Sequence, residues 1–550
     1  MSDDSFTASQ AARASGRPVE DVWPEAQLAA LFQARFEEGI APALAAEVSR
    51  PGRPRVQVLP GAVDDAGHPP GERTAFRIAS CTKSFTAAAA LVLRRAGRLD
   101  LEADVREWLP ALRFTGEFAA DGPVTVRHLL TMSSGLPEDD PWADRQESMP
   151  AEQFDALLAG GIRLASAPGA RFRYSNLGYA LLGGILERAA GTDYRTLVTG
   201  SLLRPLGLTD TAFAAEELQV PAMRGCRRTP DGGWQVLPFT GPGQFSPIGG
   251  LFSTLQDLRR WAAWLAAGPA FASDPSAADP STAGMSATGP LSGGPLSGGP
   301  VDAGLDAGPL DLADRAEMQR IHRPIPLRPQ DLPGTRRGYG FGLNILEHPA
   351  AGRIVSHSGG YPGFSTHMRW HPETGTIALG LENATYSRVG EAVTRALDMT
   401  LGLVPEEPAA PADPADPVPS AAPEDEDRAG VAGPAGPGTW PELHAARDAL
   451  TVWLSSPTAE AERLLRAQFA SNMDQDRPWD ERRRDWLHLR AAAGPLHAEE
   501  AHTTGGDAPA ELRWMVPGEH GDLRCLAQLN PVEPPQVQRL EITLDPRSTG

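Results

Sequence analysis

Apolar positions recur every three to four residues over "EAQLAALFQARFEEGI" (25–40), which predicts an amphipathic helix at the start of the folded chain. Short strands follow up to "TAFRIAS" (74–80). An Ala- and Leu-rich run, "FTAAAALVLRRAGRLD" (85–100), then predicts a helix that stops near Gly97. Helical periodicity returns in "AEQFDALLAGG" (151–161), "LGYALLGGILERAAG" (177–191), "YRTLVTGSLL" (194–203) and "STLQDLRRWAAWLAA" (253–267). Beyond these the period shortens to that of strands, in "GYGFGLNIL" (338–346), "GRIVSHSG" (352–359), "FSTHMRWHP" (364–372) and "GTIALGLEN" (375–383). The turn "HPETG" (371–375) joins the last two as a hairpin, and "RVGEAVTRALDMTLGL" (388–403) predicts a closing helix. Helices lying between early and late strands predict an α/β (α+β) body whose sheet is built from both ends of this region.

A second unit follows. "PTAEAERLLRAQFASNM" (457–473) and "WDERRRDWLHLRAAAG" (479–494) predict two helices. Three strand-like segments come after them, "AELRWMVPG" (510–518), "DLRCLAQLN" (522–530) and "QVQRLEITLD" (536–545), giving a small C-terminal α+β domain. The chain holds 57 glycines and 53 prolines in 550 residues, about a fifth of the whole, where ~12% is usual. The excess sits in 268–309, with its repeated GPLSG, and in 405–439, rich in Pro, Ala and acid. The first reads as a disordered insertion, the second as a linker, and 1–22 as a disordered N-terminus. The expected domains are therefore 23–404, interrupted at 268–309, and 440–550, each with its own core.

Composition narrows the partners. A formal net charge of −20 with no Lys/Arg cluster argues against nucleic acid and against anionic membranes. Cys81, Cys226 and Cys525 are far apart and form no disulfide framework or metal signature, and no H-E-x-x-H pair occurs. No metal and no cofactor are expected. The first 24 residues lack an apolar core of signal-peptide type, and the longest apolar run, Ala87 to Leu93, is too short to span a bilayer. The expectation is a soluble, cytoplasmic protein; oligomeric state is not legible.

One segment carries chemistry. "IASCTKSF" (78–85) contains the only lysine, Lys83, while the other 49 basic residues are arginine. Lysine differs from arginine in being able to lose its proton when buried. Ser80 lies three places before it, the spacing that brings a hydroxyl and an amine together on one helical face. That pair suits a serine nucleophile with a lysine base, near a helix N-terminus that disfavours a charged amine. Alternatively, Ser80 simply caps the helix. Two further segments add candidates. In "FRYSNLGYALLGGILE" a phenol, Tyr174, could relay protons, and the amide of Asn176 could bond a substrate carbonyl, unless they are a core aromatic and an N-cap. In "GRIVSHSGGYPGF", His357, Ser358, Gly359 and Gly360 end a strand. There glycines permit close backbone approach and a free N–H could serve an oxyanion hole, unless the stretch is only a turn. The loop "PEDDPWADRQE" carries Asp139, Asp140 and Asp144, either a solvated run or a selector of amine-bearing substrates.

In this order and spacing, S-x-x-K, Y-S-N and H-S-G resemble the serine hydrolases of the class C β-lactamase and penicillin-binding-protein superfamily, which also holds D-amino-acid peptidases and esterases. The resemblance covers the body and extends to "VTVRHLLTMSSGLP" (124–137), "LLRPLGLTDTAF" (202–213) and "PIGGLFSTLQDLRRW" (247–261). It implies a β-lactamase/transpeptidase-like fold, an antiparallel sheet flanked by helices with a helical subdomain. It also implies Ser80 as the acylated nucleophile, Lys83 as its base and Tyr174 as the proton relay. Asn176, His357 and Gly359 would contact substrate, and the backbone N–H groups of Ser80 and Gly360 would form the oxyanion hole. His357 departs from the lysine of the K-T-G triad, which puts efficient β-lactamase activity in doubt. The implied function is hydrolysis of a small-molecule ester, an amide or a short D-peptide. Alternatives are a D-Ala-D-Ala carboxypeptidase, a β-lactamase, or a catalytically silent penicillin-binding-like receptor.

Overall fold

The computed structural model describes residues 23–63, 67–229, 231–266, 308–403 and 438–546. The segments read above as tail, insertion and linker lie outside the described residues except for 308–309 and 438–439.

Eight antiparallel strands make the main sheet. In chain order they are β1 (Leu44–Ser49), β2 (Val56–Val58), β3 (Arg323–Pro324), β4 (Arg336–Tyr339), β5 (Asn344–His348), β6 (Gly352–Tyr361), β7 (Phe364–His371) and β8 (Thr376–Glu382). They lie side by side as β2-β1-β8-β7-β6-β5-β4-β3, so the first strand pairs with the last and the sheet does join both chain ends. Alternation along the strands decides what each face meets. Met368 and Trp370 of β7 join the larger helical core, whereas Ala378 of β8 and Ile354 of β6 pack with Leu28 and Phe32 of α1 (Glu25–Glu37). Helices therefore cover both faces. The fold expected from the resemblance is the one observed.

"GYGFGLNIL" departs from its expected single strand. It splits into β4 and β5 around Gly342, whose φ is +68° and where a Cβ would come within 2.5 Å of the Lys83 carbonyl oxygen. Only glycine allows both that left-handed backbone and that approach. The sheet edge is thus keyed onto the helix that bears the lysine.

That helix, α2 (Thr82–Arg95), is buried along most of its length, and its Phe85 ring stacks on Trp261 at 3.9 Å. The C-terminal unit has an element the periodicity did not suggest, a helix over Pro441–Ser455, which precedes helices Ala459–Arg466 and Trp479–Ala493. Its sheet has four antiparallel strands in sequence order: β9 (His502–Gly505), β10 (Glu511–Val516), β11 (Gly521–Leu529) and β12 (Val537–Pro546). Trp453, Leu465, Trp514 and Leu540 form a core of its own, to which the body contributes Ala165. The two units meet through polar contacts and a small apolar seam, where Ala470 and Val532 pack with the body's core and Val532 bridges to Ile162. Arg163 pairs with Glu442 and Glu533 at 3.0 and 2.8 Å, and Arg145 with Asp476 at 2.7 Å.

Candidate active site

Ser80 sits in a tight turn, Ala79–Cys81, that leads into α2 rather than inside the helix itself. Ala79 just before it has φ +47°, a left-handed conformation uncommon for a residue with a side chain. The turn is pinned from two sides. Ile78 N–H donates to the Leu251 carbonyl at 2.9 Å, and the Cys81 thiol donates to the His357 carbonyl at 3.2 Å. Lys83, one turn on, is fully buried. Its Nζ donates to Ser80 Oγ at 2.9 Å and to the Ile248 carbonyl at 2.8 Å. Burial draws the ammonium down from 10.5 to about 8, against the pull of the carboxylates of Asp140, Asp144 and Asp139. About a tenth of such an amine is neutral at pH 7.

Tyr174 closes over this pair, with Lys83 Nζ 5.0 Å from its ring centroid. Its phenol is pushed well above the ordinary tyrosine value by burial and by Asp140, partly offset by a hydrogen bond with the Ser80 side chain. Ser175, not Asn176, caps the following helix α3 (Asn176–Ala190), accepting from Gly178 N–H at 3.1 Å. Asn176 is buried. Its Nδ2 donates to Asp140 Oδ1 at 2.6 Å, and among the described residues its Oδ1 has no partner. The donor expected for a substrate carbonyl is thus engaged, and the atom left without a partner is a buried acceptor outside the lining of the cavity that holds Ser80.

The acidic loop is not solvated. Asp139 accepts from the backbone N–H groups of Asn176 and Leu177 at 2.7 and 2.9 Å, an acid seated on a helix N-terminus. Burial, then Asp140, still lifts it to about 7. Asp140 and Asp144 are buried too and line the cavity that holds Ser80. Asp144 accepts from the Tyr386 hydroxyl at 2.7 Å and is raised well above the carboxylate range by burial.

His357 lies in β6 rather than in a turn, 2% exposed. Its Nδ1 is 2.6 Å from the Ser358 carbonyl and must donate to it, so Nε2 accepts from the Tyr339 hydroxyl at 3.1 Å. Burial, then Lys83, depresses it to about 3, so it stays neutral. The pairing of β6 with β5 ends at Ser356, whereas its pairing with β7 continues through Tyr361. The segment 357–361 is thus unpaired on one edge. A Cβ on Gly359 would lie 2.3 Å from the Ile78 carbonyl oxygen, so this glycine sets how closely the strand approaches the serine turn.

Sequence reasoning missed two groups. Ser358 Oγ bonds His367 Nδ1 at 2.8 Å across the β6–β7 pair, and Tyr339 holds His357. A register map would have found the first; the second depends on the break at Gly342. Among the described residues no group of His, Cys, Asp or Glu forms a metal cluster, and no helix is long and apolar enough to cross a membrane.

Comparisons with known proteins bear on the family and the fold. The Beta-lactamase family model matches residues 28–401. Penicillin-binding protein 4* of Bacillus subtilis is 26% identical over 298 residues, 53% of this chain and 57% of that protein. Esterase EstB of Burkholderia gladioli is 35% identical over 209 residues, 35% of this chain and 52% of that protein. The chain thus spans little more than half the length of either relative. The octameric penicillin-binding protein homologue of Pyrococcus abyssi superposes with a TM-score of 0.54 at 19% identity, covering 92% of this chain and 91% of the other. That likeness concerns the fold, and it takes in the C-terminal unit as well as the body.

Proposed function

The chain belongs to the beta-lactamase family of serine hydrolases, and from that premise we propose that it hydrolyses small esters or D-amino-acid amides and short peptides through an acyl-enzyme on Ser80. The observation that carries this reading is the 2.9 Å contact between Ser80 Oγ and a buried amine drawn down to about 8. Neutral Lys83 takes the proton as Oγ attacks the carbonyl carbon, and the tetrahedral oxyanion is met by the backbone N–H groups of Ser80 and Gly360. Tyr174 passes a proton to the leaving alkoxide or amine, whose departure leaves the acyl-Ser80 ester. Water then attacks that ester with the proton steps reversed.

Neutral His357 supports esters and D-amides over cephalosporins. Where related enzymes place a lysine to meet a carboxylate, this chain offers an uncharged ring already bonded at both nitrogens. The experiment is a fluorophosphonate label followed by a panel of short-chain p-nitrophenyl esters, D-alanine anilide and a cephalosporin. Parent protein is expected to label and to turn over the ester or the amide best. Ser80→Ala should lose both while melting like the parent. Residual turnover above ~1% in that variant would remove Ser80 as nucleophile, because losing one costs several orders of magnitude.

A further inference from the structure

The cavity beside Ser80 has a volume of about 1060 Å³ and is lined by both units of the chain. Its far wall is the C-terminal sheet. Along β10, β11 and β12 the apolar residues Leu512, Trp514, Ala527 and Leu540 turn inward to the core of that unit. The intervening positions fall on the opposite face, as period-two alternation requires. Strand register sets them in two adjacent cross-strand rows, Arg513–Leu526–Glu541 and Glu511–Gln528–Arg539. All six line the cavity. Exposure falls along this face as it enters the chamber. On β11, Arg524 is exposed, Leu526 is half-buried and Gln528 is 5% exposed. A polar face that sequence alone would leave in water is instead turned toward the serine.

The face itself is balanced, Arg513 and Arg539 against Glu511 and Glu541, and the excess of positive charge belongs to the cavity as a whole. The cavity lining carries eight arginines and six carboxylates, in a chain whose net charge is −20. Arg513 holds Asp507 and Glu511 through Nη2 at 2.8 and 2.9 Å, and Arg539 holds Glu541 through Nε at 2.6 Å. Arg539 keeps its two Nη groups for the two-point capture of a carboxylate, and Arg513, whose Nη2 faces two acids, keeps Nε and Nη1 for single charge-assisted hydrogen bonds. The wall is also fixed relative to the catalytic turn. The Gln538 amide donates to the Glu138 carbonyl at 2.7 Å, and Arg173, next to Tyr174, donates to the Asp507 carbonyl at 2.8 Å.

We propose that this face of the C-terminal sheet is part of the substrate site, with Arg513 and Arg539 binding a carboxylate that the substrate carries away from its scissile bond. The proposal rests on the hydrolase reading above and deepens it. The preferred substrate is then a peptide-sized amide or ester with an anionic end, not a minimal neutral ester.

The test uses the full chain and two peptide pairs that differ only in one charge. One pair is succinyl-glycyl-D-alanine p-nitroanilide against its succinamoyl counterpart. The other is D-alanyl-glycyl-glycine against its C-terminal amide. The parent is expected to prefer the carboxylate member of one pair. Converting both arginines to glutamine should cut that preference in kcat/KM about tenfold, mainly through KM, as loss of a charge-assisted hydrogen bond does. Converting both to lysine should keep only part of it, since an ammonium retains the charge but not the two-point geometry. If the double glutamine variant does not fold, Arg539→Gln alone is read the same way. A parent with no carboxylate preference in either pair, or a preference untouched in the folded variants, overturns the proposal. Failure of the parent to react with fluorophosphonate would instead overturn the hydrolase reading.

Discussion

Lys83 is where the chemistry can be tested most sharply. A general base must be neutral part of the time, and burial brings this amine to about 8, whereas a guanidinium in the same place stays charged. Lys83→Arg is therefore expected to be nearly as damaging as Lys83→Ala, with kcat/KM down by several orders of magnitude in both. An arginine variant retaining a tenth of parental activity would reduce Lys83 to a structural cation. The pH profile gives a second readout. Because the folded-state value is lowered and the active form is the neutral one, kcat/KM should rise through an apparent value near 8. Below it, activity should fall about tenfold per pH unit. A limb centred near 6 would point to a different base, and His357 at about 3 is too low to supply one.

At the scale of elements, the site is a docking of the Ala79–Cys81 turn against strand β6, with Gly359 as the contact. Gly359→Ala places a methyl 2.3 Å from the Ile78 carbonyl oxygen, and backbone on both sides must shift to admit it. The expected cost is roughly 1–3 kcal/mol in stability, the usual range for overpacking, with a loss in kcat at least as large in energy because the serine turn moves with Ile78. Unchanged kcat in this variant would show that the strand does not position the turn. The same contact explains what was legible beforehand. Ser80, Lys83, Tyr174, Asn176 and His357 could be named from short motifs because each chemistry needs a particular side chain at a particular spacing. The split of "GYGFGLNIL" was not legible, since it depends on Gly342 meeting the Lys83 carbonyl, a contact distant in sequence. The burial of Asp139 was hidden for a related reason. Three acidic residues in a loop read as solvated until α3 supplies the N–H groups that Asp139 accepts. Helix Pro441–Ser455 escaped notice because Pro-rich sequence precedes it and its buried positions Leu443, Ala446, Leu450 and Trp453 are interleaved with charge.

Across the whole molecule the open question is how far the two units depend on each other. Their cores are nearly separate: Ala165 of the body packs in the C-terminal one, and Ala470 and Val532 of the C-terminal unit pack in the body's, so removing residues 438–550 uncovers only a small apolar seam. What it removes beyond that seam is polar: the Arg163 pairs with Glu442 and Glu533, the Arg145–Asp476 pair, and the Gln538 contacts with Glu138 and Trp142. Half-exposed ion pairs of this kind contribute modestly one by one. The truncated body is therefore expected to stay soluble and to melt cooperatively, a few degrees below the parent. Asp140 and Asp144 lie in and beside the short helix Asp140–Ala143, which those lost contacts brace, so the catalytic end should loosen without collapsing. Hydrolysis of p-nitrophenyl acetate, which reaches only the serine, should fall by no more than about tenfold, within what a small misplacement of catalytic groups costs. Discrimination between carboxylate-ended and neutral peptides should disappear with the wall that makes it. A body that aggregates or melts without cooperativity would show instead that the C-terminal unit completes the fold, and a truncated enzyme that still discriminated would place the carboxylate site on the body's own arginines.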